Sequence, residues 1–356
     1  MHRILGFWLD RGVSGFRIDA AHYIVESRQA EIENLHSFLA DLRKFVESRN
    51  SEAILMAEAE VPERETMAYF NEGDQAHIVI NFLMNQSMFL AMARQQAEPL
   101  AQRLRTLPEP PPGGQWANFV RNHDELSLGL LTDAERAEVF DAFGPEESMQ
   151  LFGRGIRRRP APMFGDRRQM ELAYSLLLTL PGTPIIGGGE EIGMGEDLSQ
   201  PGRQAVRTPM QWNAGPSGGF STARPEDLSK PITSGGEFGS GRVNVETQRQ
   251  DPGSLLNWMI RAIGVRKTCP EFGHGLCTPL DPGAPEVLAT LHQWRDRTLI
   301  TLHNLADRPA TATLDRSACE GQALADLFDD LRLIPAPDVP YRIELEGYGY
   351  RWFRVD

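Results

Sequence analysis

The chain has 356 residues, of which 41% are hydrophobic and 24% are charged. This composition is that of an ordinary globular protein, and the length predicts about two domains. Thirty-six Lys and Arg residues oppose 49 Asp and Glu residues, which gives a formal net charge of −13. Because nucleic acids and anionic membrane surfaces repel such a chain on average, we expect neither of them as a partner.

The cysteines and the first residues contain no signal for a bound metal or for targeting. Cys269, Cys277 and Cys319 are an odd number without a CxxC pair, so we expect neither a disulfide framework nor a zinc site. The apolar run from Ile4 to Leu9 ends at Asp10 and is too short for a signal sequence or a membrane span. These features predict a cytoplasmic protein, and they indicate no cofactor.

The first 270 residues alternate short β-branched runs with longer helical segments, which is typical of an α/β protein with a parallel sheet. The predicted strands cover residues 13–18, 53–57, 76–81, 117–121 and 183–186. The predicted helices cover residues 31–47, 168–180 and 254–266, where apolar residues follow helical spacing. Two long segments, 129–166 and 187–251, interrupt this pattern, and we expect them to form lids or binding loops.

After Cys269 a turn-rich stretch leads into a series of short strands. These predicted strands cover residues 287–294, 298–304, 310–314, 341–345 and 350–355. The sequence therefore predicts a first domain over residues 1–270 and a small antiparallel β domain over residues 271–356. A basic stretch, residues 154–168, is expected to be a solvated face or to pair with the acidic stretch 133–147.

Three carboxylates stand at or just beyond the carboxyl ends of predicted strands, where α/β barrels place catalytic groups. Asp19 follows GFRI, Glu58 follows ILMA, and Asp124 lies within FVRNHDE. Their spacing matches one and two βα units of roughly 31 residues each, so we expect the three side chains at one rim of a barrel. The alternative for any one of them is a residue that only caps the next helix.

This set of carboxylates suits glycoside transfer. A retaining mechanism needs a nucleophilic carboxylate and a second carboxyl group, roughly 5 to 5.5 Å away, that acts first as acid and then as base. Arg17 and Asp19 share one face of a strand, so the guanidinium can keep Asp19 ionised as the nucleophile. The apolar residues before Glu58 favour its protonated form, as a general acid requires.

The third carboxylate follows two polar residues, Asn122 and His123. We expect Asp124 to accept hydrogen bonds from sugar hydroxyls rather than to react. His123 taken alone is better explained as a structural histidine, and no H-x-x-x-H spacing indicates a metal site.

The motifs GFRIDA, LMAEAE and FVRNHDE resemble the second, third and fourth signature regions of the α-amylase superfamily, glycoside hydrolase family 13. GTPIIGGGEEIGMG resembles that family's eighth-strand region, although Gly187 and Gly188 replace tyrosines that are common there. More narrowly, GIRRRPAPMFGDRRQMELAYSLLLTLPGTP and GRQAVRTPMQWN resemble trehalose synthases, the group that interconverts maltose and trehalose. The resemblance implies a partial (β/α)8 barrel with about strands 4 to 8, followed by an antiparallel domain.

The resemblance also implies roles for individual residues. It makes Asp19 the nucleophile, Glu58 the acid/base, and Asp124 the stabiliser of the transition state. Arg17 and His123 become contacts of the reacting glucose ring. Ser14 replaces the Asp that usually opens the second region, which concerns local packing more than catalysis. The resemblance implies that calcium can bind in the full-length family, and we expect its usual site to be largely missing here.

Eighteen residues precede Asp19, whereas three earlier barrel units need on the order of 90 residues. We therefore expect a fragment that lacks the first signature region and has little activity alone. A second copy of the chain or a missing N-terminal half is a possible partner.

The expected function is a retaining transglucosylase acting on maltose, trehalose or a short maltooligosaccharide. Two alternatives remain open. The first is an α-glucosidase or amylase-type hydrolase, in which water attacks the intermediate. The second is a non-catalytic remnant that binds a sugar or a partner protein. The glycine run at 187–189 lacks the Lys and Ser/Thr of a P-loop, so no nucleotide is expected.

Overall fold

The structure is a computed structural model that describes residues 1–23, 32–316, 322–334 and 339–356. Cys319 and Glu31, the first residue of the predicted 31–47 helix, lie outside these ranges. The described chain divides into two compact units. The first comprises Met1–Asn85 and Thr106–Asn118, and the second comprises Gln86–Arg105 and Phe119–Asp356. The domain boundary at residue 270 stays a prediction.

The first unit is built on parallel strands and the helices between them. Its strands are β1 (Gly15–Ile18), β2 (Ile54–Ala57), β3 (Ile78–Ile80) and β4 (Gln115–Phe119). Its helices are α1 (His2–Leu9), α2 (Ile32–Arg49) and α3 (Glu63–Thr66), and α4 (Phe82–Arg94) continues from this unit into the second. Strand β1 pairs with β2, β2 with β3, and β3 with β4, each time in parallel. The parallel sheet predicted from the sequence is confirmed for these strands.

Strand β1 approaches β2 closely at its first residue. Gly15 lies opposite Ile54 in the register of the pair. A Cβ atom on Gly15 would stand 2.6 Å from the carbonyl oxygen of Ile54, which is shorter than van der Waals contact allows. Glycine is therefore required at this position, and it permits the spacing that fixes the next residues of both strands.

Helix α2 covers one side of these strands with an apolar stripe. Leu42 and Val46, four residues apart, are completely buried and form one cluster with Leu5, Ala53 and Leu55. Side chains at this spacing lie on the same face of a helix, and complete burial of a Leu or Val side chain contributes roughly 1.5–3 kcal/mol. The stripe therefore holds the helix against the strands that end at the candidate site.

The second unit contains most of the remaining helices. They are α5 (Glu98–Thr106), α6 (Asp133–Phe143), α7 (Pro160–Phe164), α8 (Arg167–Thr179), α9 (Val245–Gln250), α10 (Leu255–Lys267) and α11 (Glu271–His274). Short strands in this part are β5 (Leu126–Ser127), β6 (Gln150–Leu151), β7 (Gly155–Ile156) and β8 (Thr183–Ile185). Helices α8 and α10 confirm the predicted helices at 168–180 and 254–266 to within a residue at each end.

The segment 129–166 is not the long loop predicted from the sequence, because it contains α6 and α7. Helix α6 begins with a capping box, in which the Thr132 hydroxyl accepts a hydrogen bond from the Glu135 backbone N–H. The Glu135 carboxylate in turn accepts one from the Thr132 N–H. The sequence contains this T-x-x-E motif, which is typical of the start of a helix. The other long segment, 187–251, holds only short 3₁₀ turns and helix α9.

The end of the second unit is antiparallel, as predicted. Its strands are β9 (Leu276–Leu280), β10 (Val287–Trp294), β11 (Arg297–Asn304), β12 (Ala310–Leu314), β13 (Leu324–Asp326), β14 (Arg332–Leu333), β15 (Tyr341–Leu345) and β16 (Tyr350–Val355). Six of them form a sheet in the order β14–β13–β16–β11–β10–β9, and β12 pairs with β15. Apolar side chains of both groups share one core, which includes Ile300, Leu302, Ile343 and Phe353.

Two buried histidines lie on neighbouring strands of this sheet. His292 on β10 and His303 on β11 are each 1% exposed. The His303 ring contacts the Ser175 hydroxyl at 2.9 Å, and the His292 ring contacts the Thr290 hydroxyl at 3.0 Å. Burial lowers the pKa of each histidine to about 3. Both rings are therefore neutral in the folded chain near pH 5.

These histidines predict a loss of stability in weak acid. Below pH 6.5 the unfolded chain binds a proton at each histidine, whereas the folded chain does not until the pH approaches 3. The free energy of unfolding should therefore fall by roughly 1–2 kcal/mol per histidine between pH 7 and pH 5. His292→Gln should make this pH dependence shallower in urea unfolding measured at both pH values. The exposed His274 provides the control, and equal slopes for His292→Gln and His274→Gln would contradict the prediction.

Candidate active site

The site residues predicted in the first unit meet at the carboxyl ends of β1 and β2. Arg17 lies on β1, and Asp19 follows its last residue. Glu58 follows the last residue of β2. The register of the two strands places Ile18 opposite Ala57, so the two carboxylates occupy equivalent positions at neighbouring strand ends.

A single guanidinium contacts both carboxylates. The Nη2 atom of Arg17 lies 2.5 Å from Oε2 of Glu58 and 3.1 Å from Oδ1 of Asp19. The backbone N–H of Ala20 also donates to Oε2 of Glu58, at 3.2 Å. Ala20 adopts a φ of 43°, a left-handed conformation that is uncommon for residues other than glycine and is found at functional sites. The sequence predicted the contact of Arg17 with Asp19 but not its contact with Glu58.

The two carboxylates differ in accessibility. The Asp19 side chain is 78% exposed, whereas the Glu58 side chain is 13% exposed. Leu55 and Ala57, which precede Glu58, are buried. Glu58 thus combines apolar residues before it with two polar donors on Oε2, whereas a ligand can reach Asp19 directly. This difference in exposure suits an accessible nucleophile at Asp19 and a sheltered acid/base at Glu58.

The other predicted site residues form a second group, in the second unit. Asp124 is largely buried, and its carboxylate forms an ion pair with Arg207 through Oδ1. Arg203 lies 3.5 Å from its Oδ2 atom, and His123 lies 3.8 Å from the same atom. The Asn122 side-chain oxygen accepts a hydrogen bond from the Asp124 backbone N–H at 2.9 Å. Asn122 therefore shapes the turn, while the half-exposed His123 ring is available to a ligand.

Arg203 and Arg207 contact the predicted site residue Asp124, and the reasoning from the sequence did not name them. Both come from the segment 187–251 and lie within GRQAVRTPMQWN. Arg207 also donates to the His123 carbonyl oxygen at 2.7 Å. These contacts join residues about 80 positions apart in the sequence, so no local pattern predicts them. The motif GRQAVRTPMQWN only drew attention to the segment that contains both arginines.

A cavity of about 420 Å³ lies beside this second group, within the second unit. Asn122 and His123 line it, together with Gly187, Gly188 and Glu190. Five cationic side chains also line the cavity, namely Arg121, Arg158, Arg159, Arg207 and Lys230. The volume is within the range of pockets that bind small molecules, roughly 300–1,000 Å³.

The buried carboxyl group of this cavity is held by two donors. The Tyr174 hydroxyl donates to Oε2 of Glu190 at 2.9 Å, and the Gly187 N–H donates to the same oxygen at 3.2 Å. Burial raises the pKa of Glu190 to about 7. Glu190 can therefore carry a proton near neutral pH, unlike an exposed glutamate.

The basic stretch 154–168 differs from its prediction. Arg159 is 8% exposed, and Arg158 forms an ion pair with the buried Glu196 at 3.0 Å rather than with the acidic stretch 133–147. Part of this stretch therefore belongs to the interior and not to a solvated face.

Neither a metal centre nor a membrane span is found in the part of the chain that the structure describes. No three His, Cys, Asp or Glu side chains are grouped there so as to hold a metal ion. No helix there is long and apolar enough to cross a membrane.

Comparison with known proteins identifies relatives along the whole chain. The chain is 35% identical to the trehalose synthase/amylase TreS of Mycobacterium tuberculosis over 363 residues, which cover 99% of this chain and 60% of that protein. It is 34% identical to the trehalose synthase of a Pimelobacter species over 372 residues, which cover 100% of this chain and 65% of the relative. A trehalose synthase of Thermus thermophilus is 37% identical over 361 residues, with coverage of 100% and 37%. The chain thus spans less than two thirds of the length of these relatives.

Solved structures show the same fold at lower sequence identity. An α-amylase from H. orenii superposes with a TM-score of 0.75 at 21% identity, covering 99% of this chain and 64% of that chain. An isomaltulose synthase from Klebsiella superposes with a TM-score of 0.69 at 18% identity, with coverage of 100% and 67%.

Family profiles match both parts of the chain. Residues 297–354 match a profile described as the sucrose hydrolase-like C-terminal domain. Residues 1–142 and 155–275 match a profile described as the α-amylase catalytic domain. Because this profile covers well over half of the sequence, the chain belongs to the α-amylase family, as the resemblance of its motifs predicted.

Proposed function

We propose that this chain carries the reacting carboxylates of a retaining α-glucoside transglucosylase that interconverts maltose and trehalose. The observation that supports it best is the contact of Arg17 with both Asp19 and Glu58. Membership of the α-amylase family supports the glycosidic chemistry. The relatives named trehalose synthase, at 34–37% identity, support the choice of maltose and trehalose as substrates.

The spacing of the two carboxylates favours retention of configuration. One oxygen of each contacts the same nitrogen of Arg17, so these two oxygens can be no further apart than the sum of 2.5 and 3.1 Å. Inverting enzymes hold their carboxyl groups roughly 6.5–9.5 Å apart to admit a water molecule, whereas retaining enzymes hold them roughly 5–5.5 Å apart. The geometry therefore suits a covalent intermediate.

In the proposed reaction, Asp19 attacks the anomeric carbon of the non-reducing glucose of maltose. Glu58 gives its proton to the departing glycosidic oxygen, and free glucose and a glucosyl–Asp19 ester result. The anomeric hydroxyl of the released glucose then attacks the ester carbon, and Glu58 takes the proton of that hydroxyl. Two inversions give net retention, the 1,1 linkage of trehalose forms, and Asp19 is regenerated.

We assign the remaining residues to binding. Asp124 accepts hydrogen bonds from sugar hydroxyls and stabilises the positive charge of the oxocarbenium-like transition state. Its ion pair with Arg207 keeps the carboxylate in place. The half-exposed His123 ring, with Arg17 and Asn122, completes the sugar contacts.

The proposal also includes the numbering of the strands in a barrel and the division of the chain into domains. Strands β1 to β4 and β8 are taken as about strands 4 to 8 of a (β/α)8 barrel, and residues 271–356 as a separate domain. The α-amylase fold of the structural relatives supports this assignment. The proposed location is the cytoplasm.

A covalent intermediate on Asp19 is the first expected outcome. An activated fluorosugar such as 5-fluoro-α-glucosyl fluoride forms an ester that breaks down slowly, because the ring fluorine destabilises the second transition state. Mass spectrometry of the digested protein should show one fluoroglucosyl group on the peptide containing Asp19, and Asp19→Asn should abolish it. Asp10→Asn, which alters an exposed carboxylate outside the site, should leave labelling intact. Labelling of another carboxylate would contradict the assignment of Asp19.

Replacement of Glu58 should separate the two halves of the reaction. Glu58→Gln cannot protonate a sugar leaving group, so turnover of maltose should fall by at least about 100-fold. Glucosyl fluoride needs no such proton, so its reaction with Asp19 should be largely spared. Rates measured with both donors, with Glu63→Gln on helix α3 as the control, test this point. An equal loss for both donors would refute the role of Glu58.

The products of maltose turnover should distinguish transfer from hydrolysis. Attack by the released glucose gives trehalose, whereas attack by water gives only glucose. We expect trehalose in the proton NMR spectrum of the reaction and none with Asp19→Asn. Stoichiometric protein and long incubation allow slow turnover to be detected. Glucose as the only product, also lost in Asp19→Asn, would favour the hydrolase.

A further inference from the structure

A second cavity, of about 320 Å³, lies in the long segment that follows β8, within the second unit. It shares Arg207, Thr208 and Lys230 with the cavity that Asn122 and His123 line. The other residues around it are Pro209, Met210, Phe220, Leu228 and Ser229. Because the proposed function places the reacting glucose at Asn122 and His123, this second cavity, the Phe220 cavity, adjoins that sugar.

A tightly held turn presents the half-exposed ring of Phe220 to the cavity. Ser217 and Gly218, just before it, adopt positive φ values of 54° and 59°. The Gly218 carbonyl oxygen accepts a hydrogen bond from the Trp212 backbone N–H at 2.7 Å, and the Ser217 hydroxyl donates to the Ala223 carbonyl oxygen at 2.7 Å. A serine in the left-handed region is uncommon and persists only where its surroundings fix it. The position of the aromatic ring is therefore set by the turn.

The walls of the Phe220 cavity combine apolar and polar side chains. Phe220, Met210 and Leu228 supply the apolar contacts, and Met210 packs against a buried apolar cluster of the second unit. Ser229 and Lys230 are exposed and supply a hydroxyl group and an ammonium group. Pockets for small molecules commonly combine aromatic or apolar walls with a few polar groups. A hexose ring matches this combination, because its C–H groups form an apolar face and its hydroxyl groups surround the edge.

Arg207 connects the Phe220 cavity to the residues assigned to the reacting sugar. Its side chain lines both cavities, forms an ion pair with Asp124 and donates to the His123 carbonyl oxygen at 2.7 Å. A glucose ring bound at Asp124 and a second ring in the Phe220 cavity therefore both lie beside Arg207. Two rings joined by one glycosidic bond meet this requirement.

We propose that the Phe220 cavity binds the second glucose ring of maltose and of trehalose, with the apolar face of that sugar against the Phe220 ring. This inference rests on the proposed function, in which the same glucose is first released and then attacks the ester. A phenyl ring contacts C–H groups and imposes no hydrogen-bond direction on the hydroxyl groups. The released glucose can therefore turn from its 4-hydroxyl to its anomeric hydroxyl while it stays in contact with Phe220.

Isothermal titration calorimetry with maltose tests the proposal, in an Asp19→Asn parent that prevents turnover. Phe220→Ala in this parent should weaken maltose binding at least about tenfold, because the contact with the second ring is lost. Phe220→Tyr keeps the aromatic ring and should retain most of the affinity. Trp212→Ala removes another exposed aromatic residue of the same segment, outside the cavity, and should bind maltose like the parent.

Added bulk gives an independent test. Ser229→Trp fills the cavity and should weaken maltose binding, whereas Ser234→Trp adds the same bulk at an exposed serine outside the cavity and should not. If circular dichroism shows that Phe220→Ala does not fold, these two variants decide. Unchanged maltose binding in folded Phe220→Ala, equal weakening in a matched control, or no maltose binding by the parent would overturn the proposal. The fluorosugar that labels Asp19 has no second ring, so a failure of labelling would concern the proposed function alone.

Discussion

The contact of Arg17 with two carboxylates depends on the register of β1 and β2. Asp19 and Glu58 are neighbours because Ile18 lies opposite Ala57 in a parallel pair. A slip of one residue would turn every side chain of β1 to the opposite face of the sheet. The guanidinium would then lose both partners. The chemistry proposed for this chain therefore rests on backbone pairing before it rests on any side chain.

The two carboxyl groups that matter most in the second unit are controlled by opposite means. Asp124 is held by the cations Arg207 and Arg203, which come from a distant part of the chain. Glu190 is enclosed with the Tyr174 hydroxyl, and its burial outweighs the nearby positive charge, so its pKa rises to about 7. The first carboxylate is thus held by ion pairs from a distant segment, whereas the second can carry a proton near neutral pH.

The sequence allowed the strands to be predicted, and with them the positions of Asp19 and Glu58 at strand ends, because both depend on local pattern. Short β-branched runs marked β1 to β3, and residues at strand ends marked Asp19 and Glu58. Helix α4 was missed because it is buried on nearly all sides, so its apolar residues form no stripe of helical period. The contacts of Arg207 were missed for another reason: Arg207 and Asp124 are 83 residues apart in sequence, and only the tertiary fold brings them together.

The cavity beside Asn122 includes two guanidinium groups that are buried in the interior, those of Arg121 and Arg159. Burial of a guanidinium costs several kcal/mol unless paired charge and hydrogen bonds offset it. Among the described residues, Nη1 of Arg121 and Nε of Arg159 have no hydrogen-bond partner, and burial raises the pKa of Glu190 to about 7. The buried charge of this cavity is therefore offset in part by backbone carbonyl oxygens, because Arg121 donates to those of Arg158 and Asp124, and Arg159 donates to that of Gly188.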